Sequence, residues 1–159
     1  MRVAIGSDHG GFELKEAVKA HLLDRGMEVA DMGTDSKESV DYPDYGYAVA
    51  KAVAAGEADK GIVVCTTGIG ISITANKVPG IRCALCSETT SARLTREHND
   101  ANVLAMGGGL VGPLLGCEIA DVFLDTPFSE AGKHVRRVNR IAEIERQSGL
   151  VPPMNEVNE

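Results

Sequence analysis

The sequence predicts an α/β fold: a Rossmann-like (flavodoxin-like) three-layer α/β/α sandwich with a five-stranded parallel sheet. Two observations carry this. Short apolar runs rich in β-branched residues alternate with helix-length amphipathic stretches along the chain, the pattern of a parallel sheet covered on both faces. The first and third runs each end in a small, glycine-rich turn. In a doubly wound sheet these two strands flank the switch point, so both turns would open into one crevice.

Arg2 to Gly6 reads as the first strand and runs into Ser7-Asp8-His9-Gly10-Gly11. A helix follows with Leu14, Val18 and Leu22 on one stripe, and Gly26 stops it. Glu28 to Asp31 is the second strand, and Gly33 to Asp44 reads as a polar loop. The next helix is expected from about Tyr45 to Ala55, with Ala48, Val49, Ala52 and Val53 facing inward. Gly61 to Val64 is the third strand, and the helix after its turn is expected to reach Lys77. Ile81 to Cys86 reads as strand four, Ser87 to Glu97 as a helix, and Val103 to Met106 as strand five. Pro113 starts a helix to Leu124, and a last helix spans about Gly132 to Arg146.

A chain of 159 residues with 43% hydrophobic content forms one domain with a sizeable core, expected over 1–147, and 148–159 reads as a loose polar tail. Net charge −7 argues against nucleic acid or an anionic membrane as partner. No apolar run is long enough to span a bilayer, and the start runs straight into a strand without a signal peptide, so a cytoplasmic protein is expected. Cys83, Cys86 and Cys117 read as buried reduced thiols: the C-x-x-C lies inside a strand, and a zinc site needs more ligands.

The chemistry concentrates at Cys65, where a strand ends and a helix begins. Thiols at helix N-termini ionise more readily than free ones, which supplies a base or nucleophile near neutral pH. The turn Thr66-Thr67-Gly68-Ile69-Gly70 brings backbone N–H groups close to a developing oxyanion. A small packed cysteine is the alternative. A Walker A loop, a dinucleotide fingerprint and a Cys-x5-Arg phosphatase loop all fail, the last because Ile71 stands where its arginine would be. Asp8 and His9 fall at the same predicted crevice, although Asp8 could equally cap a helix. His98 and Asn99 end a helix, and spacing alone leaves two readings open, simple terminators or site residues. His21 is expected on the surface. Lys133, His134, Arg136, Arg137 and Arg140 form the densest positive cluster of an acidic chain; Lys133 and Arg137 share a face, and a phosphorylated small molecule would account for them.

Taken in order, Ser7-Asp8-His9-Gly10-Gly11, Asp41-Tyr42-Pro43, Cys65-x-Thr67-Gly68-x-Gly70-Ile71-Ser72, Ala75-Asn76-Lys77, Gly80-Ile81-Arg82 and Glu97-His98-Asn99-Asp100-Ala101-Asn102 resemble type B ribose-5-phosphate isomerase, a family that includes the galactose-6-phosphate isomerase subunits. The resemblance covers about residues 1–145. It implies an aldose–ketose isomerase without metal or organic cofactor. Cys65 matches the base moving a proton between C1 and C2, and Thr67 a residue positioning that thiol and the substrate hydroxyls. Gly68, Ile69, Gly70 and Ser72 belong to the anion hole for the enediolate. Asp8 and His98 match groups that open the furanose ring, Asn99 a contact to sugar oxygens, and His9, Lys133 and Arg137 the phosphate grip. The resemblance further implies a homodimer or homotetramer whose site is shared between subunits, with the last helix at the interface.

Three residues depart from the family's pattern: Thr66 replaces a glycine, Gly109 an arginine that grips phosphate, and Lys133 a common arginine. They keep two further readings open, an isomerase of a six-carbon sugar phosphate (galactose 6-phosphate or allose 6-phosphate) and a sugar-phosphate-binding protein without catalysis.

Overall fold

The computed structural model describes residues 1–149. Five parallel strands, β1 (Arg2–Ser7), β2 (Glu28–Asp31), β3 (Lys60–Cys65), β4 (Cys83–Leu85) and β5 (Val103–Gly107), form one sheet in the order β2-β1-β3-β5-β4. Six helices complete the sandwich: α1 (Phe12–Asp24), α2 (Tyr42–Ala54), α3 (Ile69–Ala75), α4 (Thr89–Asn99), α5 (Pro113–Asp125) and α6 (Gly132–Ser148). The chain leaves β1 towards β2 and leaves β3 towards the other edge, so the switch point lies between β1 and β3, as expected.

Strand alternation splits the core into two layers. Val3, Ile5, Ile62, Val64, Leu104 and Met106 face one side, where Leu14, Val18 and Leu22 of α1 and Ile119 and Phe123 of α5 cover them. Ala4, Val63, Cys65, Val103 and Ala105 face the other, against Val49 and Ala50 of α2 and Ile71 and Ala75 of α3. The small residues on that second face let α2 and α3 approach closely.

Several boundaries differ from the sequence reading. Helix α2 begins at Tyr42 rather than Tyr45, because Pro43 sits at the helix start, where its missing N–H costs no hydrogen bond. Strand β4 is confined to Cys83–Leu85: the Ile81 N–H turns back to the Val78 carbonyl, and Asn102 Oδ1 takes the Arg82 N–H. Helix α3 stops at Ala75 because Asn76 turns its side chain onto Cys83, accepting that residue's N–H (2.8 Å) and donating to its carbonyl (2.9 Å). Helix α6 runs on to Ser148, two residues past the expected end, and the rest of the tail expected over 148–159 lies outside the described residues from residue 150.

All four cysteines are free. Cys86 is buried, but Cys83 and Cys117 are only partly covered, contrary to expectation: Cys83 lies on the short edge strand and Cys117 within α5. Burial pushes the Cys83 thiol up to about 12. His21 is two-thirds covered rather than a free surface residue, because its Nε2 meets the Asp121 carboxylate (2.8 and 2.9 Å) and ties α1 to α5. No described helix is long and apolar enough to cross a membrane.

Candidate active site

At the carboxyl ends of β1 and β3 the two glycine-rich turns meet, as the topology requires. Cys65 ends β3 and is 4% exposed. Its Sγ accepts the Gly68 N–H at 3.1 Å. Gly68 makes this possible by adopting φ +76°; a Cβ there would lie 2.5 Å from Leu85 and 2.8 Å from Met106. Thr67 Oγ1 accepts the Ile69 N–H (3.3 Å). Ser72 is already engaged by its helix, its N–H on the Gly68 carbonyl and its hydroxyl donating to the Ile69 carbonyl (2.7 Å). Among the described residues this leaves the Gly70 and Ile71 amides, in the first turn of α3, as the unclaimed donors of the loop.

The β1 turn lies alongside. Asp8 is buried, and its Oδ1 accepts the Gly11 N–H (3.0 Å), so it does cap the short 3-10 turn His9–Gly11. The cap uses one carboxylate oxygen and leaves Oδ2 for other partners. His9 Nδ1 accepts the Val40 N–H (3.2 Å), which places the neutral ring's proton on Nε2. Thr66, the bulky departure beside the thiol, abuts the other departure: a Cβ on Gly109 would stand 3.3 Å from Thr66 Cγ2 and 3.1 Å from its carbonyl oxygen.

The remaining expected residues lie at the opposite edge of the sheet. Helix α4 runs antiparallel to the strands, so its last residues, His98 and Asn99, come out beside the start of β3, where the Asn102 carbonyl accepts the Gly61 N–H (2.9 Å). The four strand steps from Gly61 to Cys65 span about 13 Å. Helix α6 starts at the same end: the Ser129 N–H bonds the Glu97 carbonyl (3.2 Å), and the His98 and His134 rings pack at 4.3 Å between centroids, tilted by 43°. Lys133 and Arg137 are exposed on α6 and have no carboxylate partner among the described residues, whereas Arg140 pairs with Glu143. One chain therefore gathers Asp8, His9, Cys65, Thr67 and the Gly68–Ser72 turn at one edge, and His98, Asn99, Lys133 and Arg137 at the other.

Two residues join these groups that the sequence names only within a motif or a cluster, without a role of their own. Tyr42 packs against the thiol loop, so that a Cβ on Gly70 would strike its ring at 2.6 Å. The Asp41-Tyr42-Pro43 motif carries that signal, although its polar composition suggests a loop. His134 is buried between His98 and Ser129, whose Oγ is 2.7 Å from its Nδ1. Burial, then the neighbouring His98, Lys133 and Arg137, lowers its pKa below the usual histidine value and favours the neutral ring. Its position between Lys133 and Arg137 was visible, but only the ring packing distinguishes it from the other basic residues.

Comparison with known proteins gives a consistent result. The chain is 52% identical over 146 residues to ribose-5-phosphate isomerase B of Escherichia coli, covering 92% of this chain and 97% of that one. It is 44% identical over 131 residues to a 4-deoxy-4-sulfo-D-erythrose isomerase of a Clostridium species, covering 82% of each. The structure of Clostridium thermocellum ribose-5-phosphate isomerase B superimposes with a TM-score of 0.91 at 54% identity, covering 93% of this chain and 99% of that one. The ribose/galactose isomerase family model matches residues 3–141, and the chain belongs to that family of sugar isomerases.

Proposed function

We propose that this isomerase interconverts ribose 5-phosphate and ribulose 5-phosphate through an enediolate, with Cys65 as the base. The observation that carries this is the thiol at the end of β3, with its sulfur on the Gly68 amide and the Gly70 and Ile71 amides unclaimed beside it. The Cys65 thiolate takes the proton from C2 of the open aldose. The electron pair moves into the C1–C2 bond, and the carbonyl oxygen at C1 becomes an oxyanion facing the loop amides. A proton passes from the C2 hydroxyl to the C1 oxygen, the thiol returns its proton to C1, and the electron pair on the C2 oxygen forms the ketone, giving the ketose and regenerating the thiolate. Ring opening precedes this and falls to Asp8 and His98, while Asn99 holds sugar hydroxyls and His9, Lys133 and Arg137 hold the phosphate.

These groups lie at opposite edges of one chain, so the complete site is made by two subunits. The Cys65 edge of one meets the His98 edge of its partner, with α6 at the interface. The exposed Ile141 and Ile144 of α6 fit a covered face. Proton NMR of ribose 5-phosphate in D2O tests the reaction. Ribulose 5-phosphate forms and deuterium enters at C2 of the aldose; no conversion by a folded oligomer would sink the assignment.

A six-carbon sugar phosphate is the second reading, favoured by Gly109, which has no side chain to reach a phosphate, and by Thr66, which lies where a side chain at 109 would start. A panel of ribose 5-phosphate, galactose 6-phosphate and allose 6-phosphate separates the two. The highest kcat/KM on ribose 5-phosphate would remove the six-carbon reading, and the reverse would replace the first.

A further inference from the structure

We propose that Arg82 is the positioning residue for the His98–Asn99 end of α4, orienting it for ring opening in the partner's site; this rests on the reading of His98 and Asn99 given above. Arg82 lies just before β4, 17 residues ahead of Asn99 in the chain. Its own backbone is fixed at both ends, its N–H on Asn102 Oδ1 (2.8 Å) and its carbonyl on the Asn102 N–H (3.1 Å). The guanidinium then converges on the end of α4. Nε donates to the carbonyls of Asn99 and Asp100, both at 3.0 Å, and Nη2 to the Asp100 carbonyl (2.8 Å) and to Asp100 Oδ2 (2.9 Å).

The residue being held is an unusual one. Asp100 sits in the left-handed region (φ 48°, ψ 44°), where a helix more often ends in glycine. A glycine would have no side chain to grip. Here the carboxylate joins two guanidiniums, because Arg96, 5% exposed, reaches Asp100 Oδ1 (2.8 Å) and the Ala101 carbonyl (2.6 Å). The turn immediately after Asn99 is thus fixed from two sides, one of them outside α4.

The clamp also answers an electrostatic problem. His98 and Asn99 are offered to an anionic sugar phosphate from a helix C-terminus, the negative end of the helix dipole. Free carbonyls there would repel the substrate. Arg82 satisfies two of them and adds a positive charge. A lysine would keep the charge but cannot place a planar fork on two successive carbonyls and a carboxylate.

The test is Arg82→Lys, read by two reactions in D2O. Conversion of ribose 5-phosphate needs the ring opened. Exchange of the C1 proton of ribulose 5-phosphate, which has no furanose form, needs Cys65 but no ring opening. The kcat on ribose 5-phosphate is expected to fall about tenfold or more, as a misplaced group does, with KM near that of the unsubstituted enzyme and the exchange rate within about threefold. Equal loss of both rates, or no loss of either, overturns the proposal. His98→Gln, run alongside, locates a failure: if it too spares ribose 5-phosphate conversion, the reading of His98 falls and the positioning role falls with it. Should Arg82→Lys not fold, Asp100→Asn removes the carboxylate while keeping a residue that tolerates the left-handed turn, and it is expected to show the same split with a smaller fall.

Discussion

The two edges of the sheet are built in different ways. At the carboxyl edge, backbone does most of the work: a strand ends, two glycines allow a tight turn, and amide groups surround one thiol. Behind it the fully buried Lys15 is held by both carboxylate oxygens of Asp31 at the end of β2 (2.9 and 2.8 Å) and by Glu16 (2.7 Å). At the amino edge, side chains do the work. Guanidiniums hold the end of α4, two imidazoles pack together, and Lys133 and Arg137 stand in solvent without partners among the described residues. One edge suits proton transfer beside a developing oxyanion, and the other suits gripping a phosphorylated sugar. On the proposed reading, a chain that builds both about 13 Å or more apart provides two halves of one site, and a second copy joins them.

Substitutions separate the two edges, and the largest effect is expected at the thiol. Cys65→Ala removes the base and should lower kcat by about 10²- to 10⁴-fold with little change in KM, measured by the coupled conversion of ribose 5-phosphate. Retained activity would take catalysis away from the carboxyl edge. Next comes the support behind that edge. Asp31→Ala leaves Glu16 (2.7 Å) as the one remaining carboxylate partner of the buried Lys15 ammonium among the described residues and should destabilise the fold by up to about 3 kcal/mol in urea titration, whereas Lys15→Met should be near neutral. Burial opposes the charged form of Asp31, but Lys15 and Lys19 outweigh it and hold its pKa below the usual carboxylate value. A carboxylate depressed on folding stabilises above its unfolded pKa of about 3.9. That contribution is therefore lost as pH falls below about 4, and Asp31→Ala should flatten the acid limb of the stability curve.

The smallest of these effects is expected at the amino edge. Arg137→Ala removes one charge-assisted contact, worth about 1.5–3 kcal/mol, so KM for the sugar phosphate should rise by about ten- to a hundredfold while kcat changes little. A fall in kcat alone would move Arg137 from grip to chemistry and blur the contrast between the edges.

Much of the carboxyl edge was legible in the sequence because its signals are local. A β-branched run ending at Cys65, followed by small residues, specifies strand, turn and helix in adjacent positions. The helix α2 boundary was missed because Asp41-Tyr42-Pro43-Asp44 looks like a loop unless Pro43 is placed at a helix start. The insertion of β5 between β3 and β4 has no local signature, since it is decided by which strands pair. The amino edge was less legible for the same reason. Spacing left His98 and Asn99 undecided, and only the resemblance gave them roles. The Arg82 clamp and the His98–His134 ring pair join residues 17 and 36 positions apart, through contacts that no periodicity announces.

The most direct test of the two-chain site is complementation. Cys65→Ala and His98→Ala each inactivate a different edge, and the two purified variants can be mixed under conditions where subunits exchange, with exchange followed by mass spectrometry. In a two-fold dimer with a shared site, about half of the reassorted dimers carry one intact site, so the mixture should recover about a quarter of unsubstituted activity. A mixture that exchanges subunits fully and stays as inactive as its components would place both edges in one chain's site and contradict the account.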